Sequence, residues 1–203
     1  MERTYFNKDG SGVFSIKVDL TKTGKLISVI KYINKDYEGI TKLIGYNAFY
    51  AAKKRFKKII GIGDVRLKHD EAMLKFTLRF AFKNIKALNE AIGKINEGLD
   101  PANITYFSFS DELFVREDAN GIAKKLLFYQ KHDNCLVESL DLASFFKDIT
   151  YTTIYTFRNR IMDFSNPLSQ LTKDKKTIRV VHHVFSVDET EDAISNRIHF
   201  EKK

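Results

Sequence analysis

From Leu74 to Phe82 the chain alternates. Leu74, Phe76, Leu78, Phe80 and Phe82 fall on one side, and Lys75, Thr77 and Arg79 on the other. A period of two belongs to an extended strand, so this segment has one buried face and one wet face. Asn84 then stands where a helix N-cap is wanted, since its side chain can accept from an orphan backbone N–H. Ile85, Leu88, Ile92 and Ile95 recur on one helical face, and Gly98 closes the helix. A strand running straight into an amphipathic helix leaves few arrangements open. The helix has to fold back onto the apolar face of its own sheet, which requires a layered fold of sheet and helix.

The rest of the chain carries more strand signals than helix signals. Asp9-Gly10-Ser11-Gly12 reads as a turn, and Phe14, Ile16, Val18 and Leu20 then alternate with Ser15, Lys17 and Asp19. Helical spacing appears at Leu26, Val29, Ile30 and Ile33. It returns over 41–60, where Phe49, Ala52, Phe56 and Ile59 form one stripe and Gly61 and Gly63 end it. Val65 and Leu67 mark the first arm of a hairpin whose second arm is the alternating strand, with His69-Asp70-Glu71 near the turn. Residues 104–109 and 112–117 pair around Ser110-Asp111. Asn120-Gly121 signals a type I′ turn before a strand at 122–130. Residues 139–148 read as a helix capped by Ser139. Tyr151, Thr153, Tyr155 and Phe157 alternate again, and Asn166-Pro167 opens a polar loop through Lys176. Ile178, Val180 and Val184 mark a later strand, and Ile198 and Phe200 the last, with a short helical turn over 188–194 between them.

Eight or nine strands in hairpin-like pairs, with four helices, predict an α+β fold. It is a largely antiparallel, curved sheet with helices packed on one face. The 203 residues read as one α+β domain, with Asp100-Pro101 the main composition break, near 99–102. A hydrophobic share of 43% against 30% charged residues is that of a folded chain. The one cysteine, Cys135, excludes an internal disulfide and any zinc site built on two or more thiolates. No apolar run approaches the roughly 18 residues of a membrane-spanning helix.

Catalytic patterns are missing from the sequence. His182 and His183 are adjacent in a strand and point to opposite faces, so they do not share a metal. His182 lies on the face of Val180 and Val184, as a buried or groove-lining residue. His69-Asp70-Glu71 and His132-Asp133 hold acid–base groups, but at turns, where such residues ordinarily face water. Cys135 is read as a structural thiol, beside Lys131 and His132. Gly61-Ile62-Gly63 follows a helix and precedes a strand, the wrong order for a dinucleotide loop. Neither a nucleophile elbow nor a His-Glu-x-x-His helix is present. The reading is of a chain that is not an enzyme and needs no cofactor and no metal. A hydrolase using His132, Asp133 or Cys135 would require those side chains to converge in one cleft.

Charge and aromatics say more. The net charge is +8, and it is uneven. Residues 1–100 hold 20 Lys and Arg against 11 Asp and Glu, a net of +9; residues 101–203 hold 14 against 15, a net of −1. The densest basic cluster is Lys53, Lys54, Arg55, Lys57 and Lys58, on the helix that carries Phe49 and Phe56. Such a helix either lies against anionic headgroups or phosphates, or is a surface helix whose phenylalanines pack in the core. Phenylalanine is abundant, at 17 residues, and tryptophan is absent. Tyr106, Phe107, Phe109, Phe114, Tyr151, Tyr155 and Phe157 either line an apolar cavity between sheet and helices or form plain core.

The order of elements also carries a resemblance. A Gly10-Ser11-Gly12 lead-in runs into the strand Val13 to Leu20. Gly63-Asp64-Val65 follows, then Phe80-Ala81-Phe82-Lys83-Asn84 and Leu88-Asn89, and the chain closes with Thr177-Ile178-Arg179-Val180 and Asn196-Arg197-Ile198-His199-Phe200. This resembles small cell-envelope lipoproteins of Bacteroidota-type bacteria and, more distantly, the LppM-like lipoprotein domain. The likeness is a pattern of strand, helix and loop over most of the chain, not a catalytic motif. It implies a leader ending in a lipidated cysteine upstream of Met1, a cavity for a lipid or other apolar ligand, and no enzymatic activity.

The expectation is therefore a non-enzymatic envelope lipoprotein ectodomain, facing periplasm or exterior from the outer or inner membrane. It would be held by an upstream lipid anchor and bind a lipid or a partner protein. The alternative is a cytoplasmic module contacting nucleic acid through the basic first half. The start, Met1-Glu2-Arg3-Thr4, has no basic-then-apolar signal segment, which fits a cytoplasmic chain or a mature form without its leader.

Overall fold

The computed structural model describes residues 1–19, 21, 46–70, 75–95, 105–117, 150–183 and 194–202. Among them are eleven strands and two helices. The strands are β1 (Glu2–Phe6), β2 (Gly12–Asp19), β3 (Ile62–Asp70), β4 (Lys75–Phe82), β5 (Phe107–Phe109), β6 (Leu113–Arg116), β7 (Thr150–Phe157), β8 (Ile161–Phe164), β9 (Ser169–Leu171), β10 (Thr177–His183) and β11 (Asn196–Phe200). The helices are α1 (Tyr46–Phe56) and α2 (Ile85–Ile95). The fold is α+β, as the alternation of the strands requires.

Two sheets form. The larger has the order β3-β4-β2-β1-β7-β10-β9, and the smaller β5-β6-β11-β8. Every pairing is antiparallel except β1 with β7, which run parallel. In β4 the predicted parity holds: Phe76, Leu78, Phe80 and Phe82 are buried and the residues between them half-buried. Asn84 caps α2 as its position suggests, its Oδ1 accepting from the Ala87 N–H at 2.9 Å. Helix α2 then buries Ala87, Leu88, Ala91 and Ile92. From α1, Phe56 packs edge-on against Phe80 with ring centroids 4.9 Å apart, so both helices cover the inner face of the larger sheet.

The smaller sheet covers the same inner face further along. Phe6 of β1 has six rings within 6.5 Å: Phe82, Phe107, Phe109, Phe114, Tyr155 and Phe157. Phe114 lies 5.1 Å from Phe157, which lies 5.0 Å from Phe200. One continuous core of described residues therefore spans helices and both sheets.

Three strands depart from the sequence reading. β1 and β8 fall where the sequence reading places no element, and β9 falls where a polar loop is expected. β9 lies inside the 166–176 loop and is only three residues long, paired with β10 along one edge. The helix read over 41–60 is shorter as described: α1 ends at Phe56. Its last residues tighten into i to i+3 bonds, Lys58 N–H to Arg55 O and Ile59 N–H to Phe56 O, before Gly61 at φ +95° turns the chain. The helices read at 25–33 and 139–148, the strand at 122–130, the helical turn up to 193, and Val184 lie outside the described residues.

Candidate functional site

The end of α1 is built from the inside outward. Ala52, Phe56 and Ile59 are buried, which fixes one side of the helix and its exit turn against the sheet. The same rotation puts Lys54 and Arg55 outside, and Lys57 and Lys58 follow them on the turn, exposed. Lys53 is half-buried, and the side chain of Phe49 is outside what is described. The helix has no acidic residue, and Lys53, Lys54 and Arg55 in its last turn suit the negative end of its dipole. Lys54 also stands over the Tyr50 ring at 4.8 Å.

The turn after α1 adds a residue that patterning overlooked. Ile60 is 94% exposed, while its neighbour Ile59 is 5% exposed. Its position is held on both sides. Ile59 anchors inside, the Ile62 N–H donates to Ile59 O at 3.2 Å, and the Lys83 N–H donates to Gly61 O at 2.8 Å. The backbone of Lys83, two residues before α2, thus meets this turn, and its side chain is exposed. The result is an exposed isoleucine on a turn whose chain neighbours Lys57 and Lys58 are exposed cations, with Lys54 and Arg55 one helical turn before them and Lys83 bonded to the turn through its backbone. Among the described residues Lys57, Lys58 and Lys83 form no ion pair. In the sequence the stripe ends at Ile59 and Ile60 carries no reading; the turn at Gly61 leaves it facing out.

A second cluster, also not foreseen, is buried. Glu2 of β1 and Arg116 of β6 are each 2% exposed, and Arg116 Nη2 lies 3.4 Å from Glu2 Oε2. The hydroxyls of Tyr151 and Tyr155 donate to Glu2 Oε2 and Oε1, both at 2.7 Å. Arg116 Nη1 donates to Glu117 O at 2.7 Å, and the guanidinium lies 4.7 Å from the Phe107 ring centroid. Burial opposes the charge on Arg116, but the facing Glu2 and both tyrosines more than offset it, and its pKa is raised. Burial, then the Glu2 carboxylate, push both tyrosine hydroxyls well above their ordinary values. Arg116 Nε and the hydroxyls of Thr4 and Thr153, all buried, have no hydrogen-bond partner among the described residues. With so little of it open to solvent, this cluster joins the two sheets from within.

The remaining candidates separate. The aromatic residues proposed for a cavity wall pack on one another: Phe107, Phe114, Tyr155 and Phe157 fill the space between the sheets. Tyr151 turns instead to Glu2. His69, His183 and His199 are exposed, on β3, β10 and β11. His182 is buried on the inner face of β10, where burial, aided by the adjacent His183, lowers its pKa. Among the described residues no group of three or more His, Cys, Asp or Glu is placed to hold a metal. His132, Asp133 and Cys135 lie outside the described residues. No described helix is long and apolar enough to cross a membrane.

The fold and these surfaces define an α+β domain of two sheets with a cationic, apolar-tipped end. No protein-family model matches the chain, and no curated protein sequence matches it. Among solved structures it is similar to the NMR structure of the Mycobacterium tuberculosis LppM folded domain. The identity is 9% and the TM-score 0.43, over 98% of this chain and 86% of that one.

Proposed function

We propose that this chain is a non-enzymatic domain that works against the anionic surface of a cell-envelope membrane, touching headgroups with the end of α1. The observation that carries this reading is Ile60, 94% exposed on a hydrogen-bonded turn that also carries exposed Lys57 and Lys58, directly after the exposed Lys54 and Arg55 of α1 and bonded through Gly61 to the backbone of exposed Lys83. Each cation near an anionic surface contributes about 1 kcal/mol, falling off within a Debye length. Burying an isoleucine side chain contributes about 1.5–3 kcal/mol. Neither term alone gives durable attachment, and the two together are the pairing of apolar and electrostatic signals that membrane binding requires. A lipid anchor upstream, implied by the resemblance to envelope lipoproteins, would hold this end within reach of the bilayer. A nucleic-acid partner has no use for the apolar tip, so the tip favours the membrane for this surface.

Co-sedimentation with vesicles tests the reading. The chain is expected to pellet with phosphatidylcholine vesicles containing phosphatidylglycerol, and not with phosphatidylcholine alone. Raising the salt should release it. Lys57→Glu with Lys58→Glu should weaken binding by at least about 30-fold, two contacts of about 1 kcal/mol each. Equal binding by the variant, or no binding of the native chain at low salt, would remove this function.

A further inference from the structure

The outer face of the larger sheet holds an arrangement that the α1 end does not explain. Following the pairing register from strand to strand, one row reads Arg66, Arg79, Ser15, Arg3, Ile154, Arg179 and Gln170. The residues flanking these positions along their strands face the core: Leu78 and Phe80, Phe14 and Ile16, Glu2 and Thr4, Thr153 and Tyr155, Ile178 and Val180 are buried. The row therefore lies on the opposite side, toward solvent. Arg158 shares this side, over the Tyr5 ring at 5.2 Å. Five of the chain's nine arginines thus gather on one sheet face.

The choice of arginine matters here. The chain uses 25 lysines, and a sheet face that needs only solubility is served by them. A guanidinium differs by bonding two oxygens of a phosphate at once, in a fixed plane. Arg66 and Arg79 face each other across β3 and β4, a repulsive placement unless something bridges them. Asp64 does so, with Oδ1 accepting from Arg66 Nε at 2.7 Å and Oδ2 from Arg79 Nη1 at 2.9 Å. Arg3 and Arg179 are exposed and, among the described residues, have no ion-pair partner. The adjacent row adds Lys68, Thr77 and Lys17, and the row on the other side reads Gly63, Ala81, Val13, Tyr5, Thr156 and Thr177, with its hydroxyls at the Arg179 end.

The shape is a line. Five strand steps separate Arg66 from Arg179, which at the usual strand spacing is about 24 Å. Between the arginines stand Ser15 and Ile154, both half-buried, so no apolar tip projects from the row as Ile60 does from the α1 turn. A lipid surface is matched by a patch with an apolar centre, and a protein partner by a buried aromatic or aliphatic anchor. A narrow line of guanidiniums beside hydroxyls and one tyrosine matches a strand of phosphates carrying bases that can stack. We propose that this row binds single-stranded nucleic acid, with phosphates on Arg3 and Arg179 and a base against the Tyr5–Arg158 pair. The proposal is independent of the membrane reading, because α1 packs on the inner face of the same sheet.

Fluorescence anisotropy of a labelled oligothymidylate, titrated with the native chain over a series of salt concentrations, tests it. Arg3→Ala with Arg179→Ala is expected to lower affinity at low salt by more than about tenfold. It should also reduce the slope of log K against log salt by about 1.4, two phosphate contacts on a single strand. Arg160→Ala with Arg197→Ala removes the same charge elsewhere and should leave the slope near that of the native chain. All four arginines are exposed, and an unchanged thermal midpoint checks that each variant folds. The assignment is overturned if the native chain shows no salt-dependent binding, or if both double variants lose affinity equally. It is overturned too if Arg3→Ala with Arg179→Ala abolishes binding to anionic vesicles while the oligonucleotide is ignored, since the row would then face lipid.

Discussion

Glu2 and Arg116 sit 114 positions apart in the chain and meet in the interior, one on each sheet. Their pairing shows what a single residue can decide. Taking two ions out of water costs several kcal/mol each, and the attraction repays this only when the remaining hydrogen bonds are made. Here Tyr151 and Tyr155 complete the carboxylate, while Arg116 Nε has no partner among the described residues. Glu2→Gln leaves the guanidinium buried and unpaired and should cost about 3–5 kcal/mol in urea unfolding. Glu2→Leu with Arg116→Met removes both charges and should recover most of that loss. A double variant no more stable than Glu2→Gln would show that the pair does not act as a unit. The sequence held half a signal for this cluster: Arg116 shares the parity of Phe114, an inward position for a charge. Its partner was not legible, because residue patterning cannot show which of many carboxylates lies across the core.

At the scale of elements, what was legible was whatever carried its own period. β4, α2 with its Asn84 cap, the β5–β6 pair around Ser110-Asp111, and β7 all follow from local alternation or capping. β8 and β9 are only four and three residues long, too short to display a period, and exist through their pairing with β11 and β10. β1 alternates Glu2, Thr4 and Phe6 inward, a half-polar set that does not read as a core face. The end of α1 was misjudged because a stripe continuing through Ile59 looks helical until the backbone turns. Gly61 makes that turn at φ +95°, and a Cβ there would lie 3.2 Å from the Cβ of Ala87. Gly61→Ala should therefore destabilise the chain by about 1–2 kcal/mol, the cost of a left-handed conformation for an alanine. Thermal unfolding with no loss of stability would mean that the turn is not fixed by this glycine.

At the scale of the whole molecule, the described phenylalanines join the two sheets and the helices into one core. The sequence left open whether they line a cavity or fill a core, since composition alone does not distinguish these. Those among the described residues pack ring against ring between the two sheets, as core. Described cations then gather on two surfaces: an apolar-tipped end beside α1, all from the basic first half, and a row of arginines on the open sheet face, to which the second half contributes Arg158 and Arg179. Neither surface is visible without register and caps, although every residue concerned is.

The central claim is that Ile60 enters a membrane, and the composition supplies its probe. The chain has no tryptophan, so Ile60→Trp creates a single reporter at the tip. With vesicles containing phosphatidylglycerol and brominated acyl chains, its emission should shift to the blue and be quenched, and phosphatidylcholine alone should leave it unchanged. Emission that stays that of an exposed tryptophan, with the chain bound to the anionic vesicles, would contradict the account.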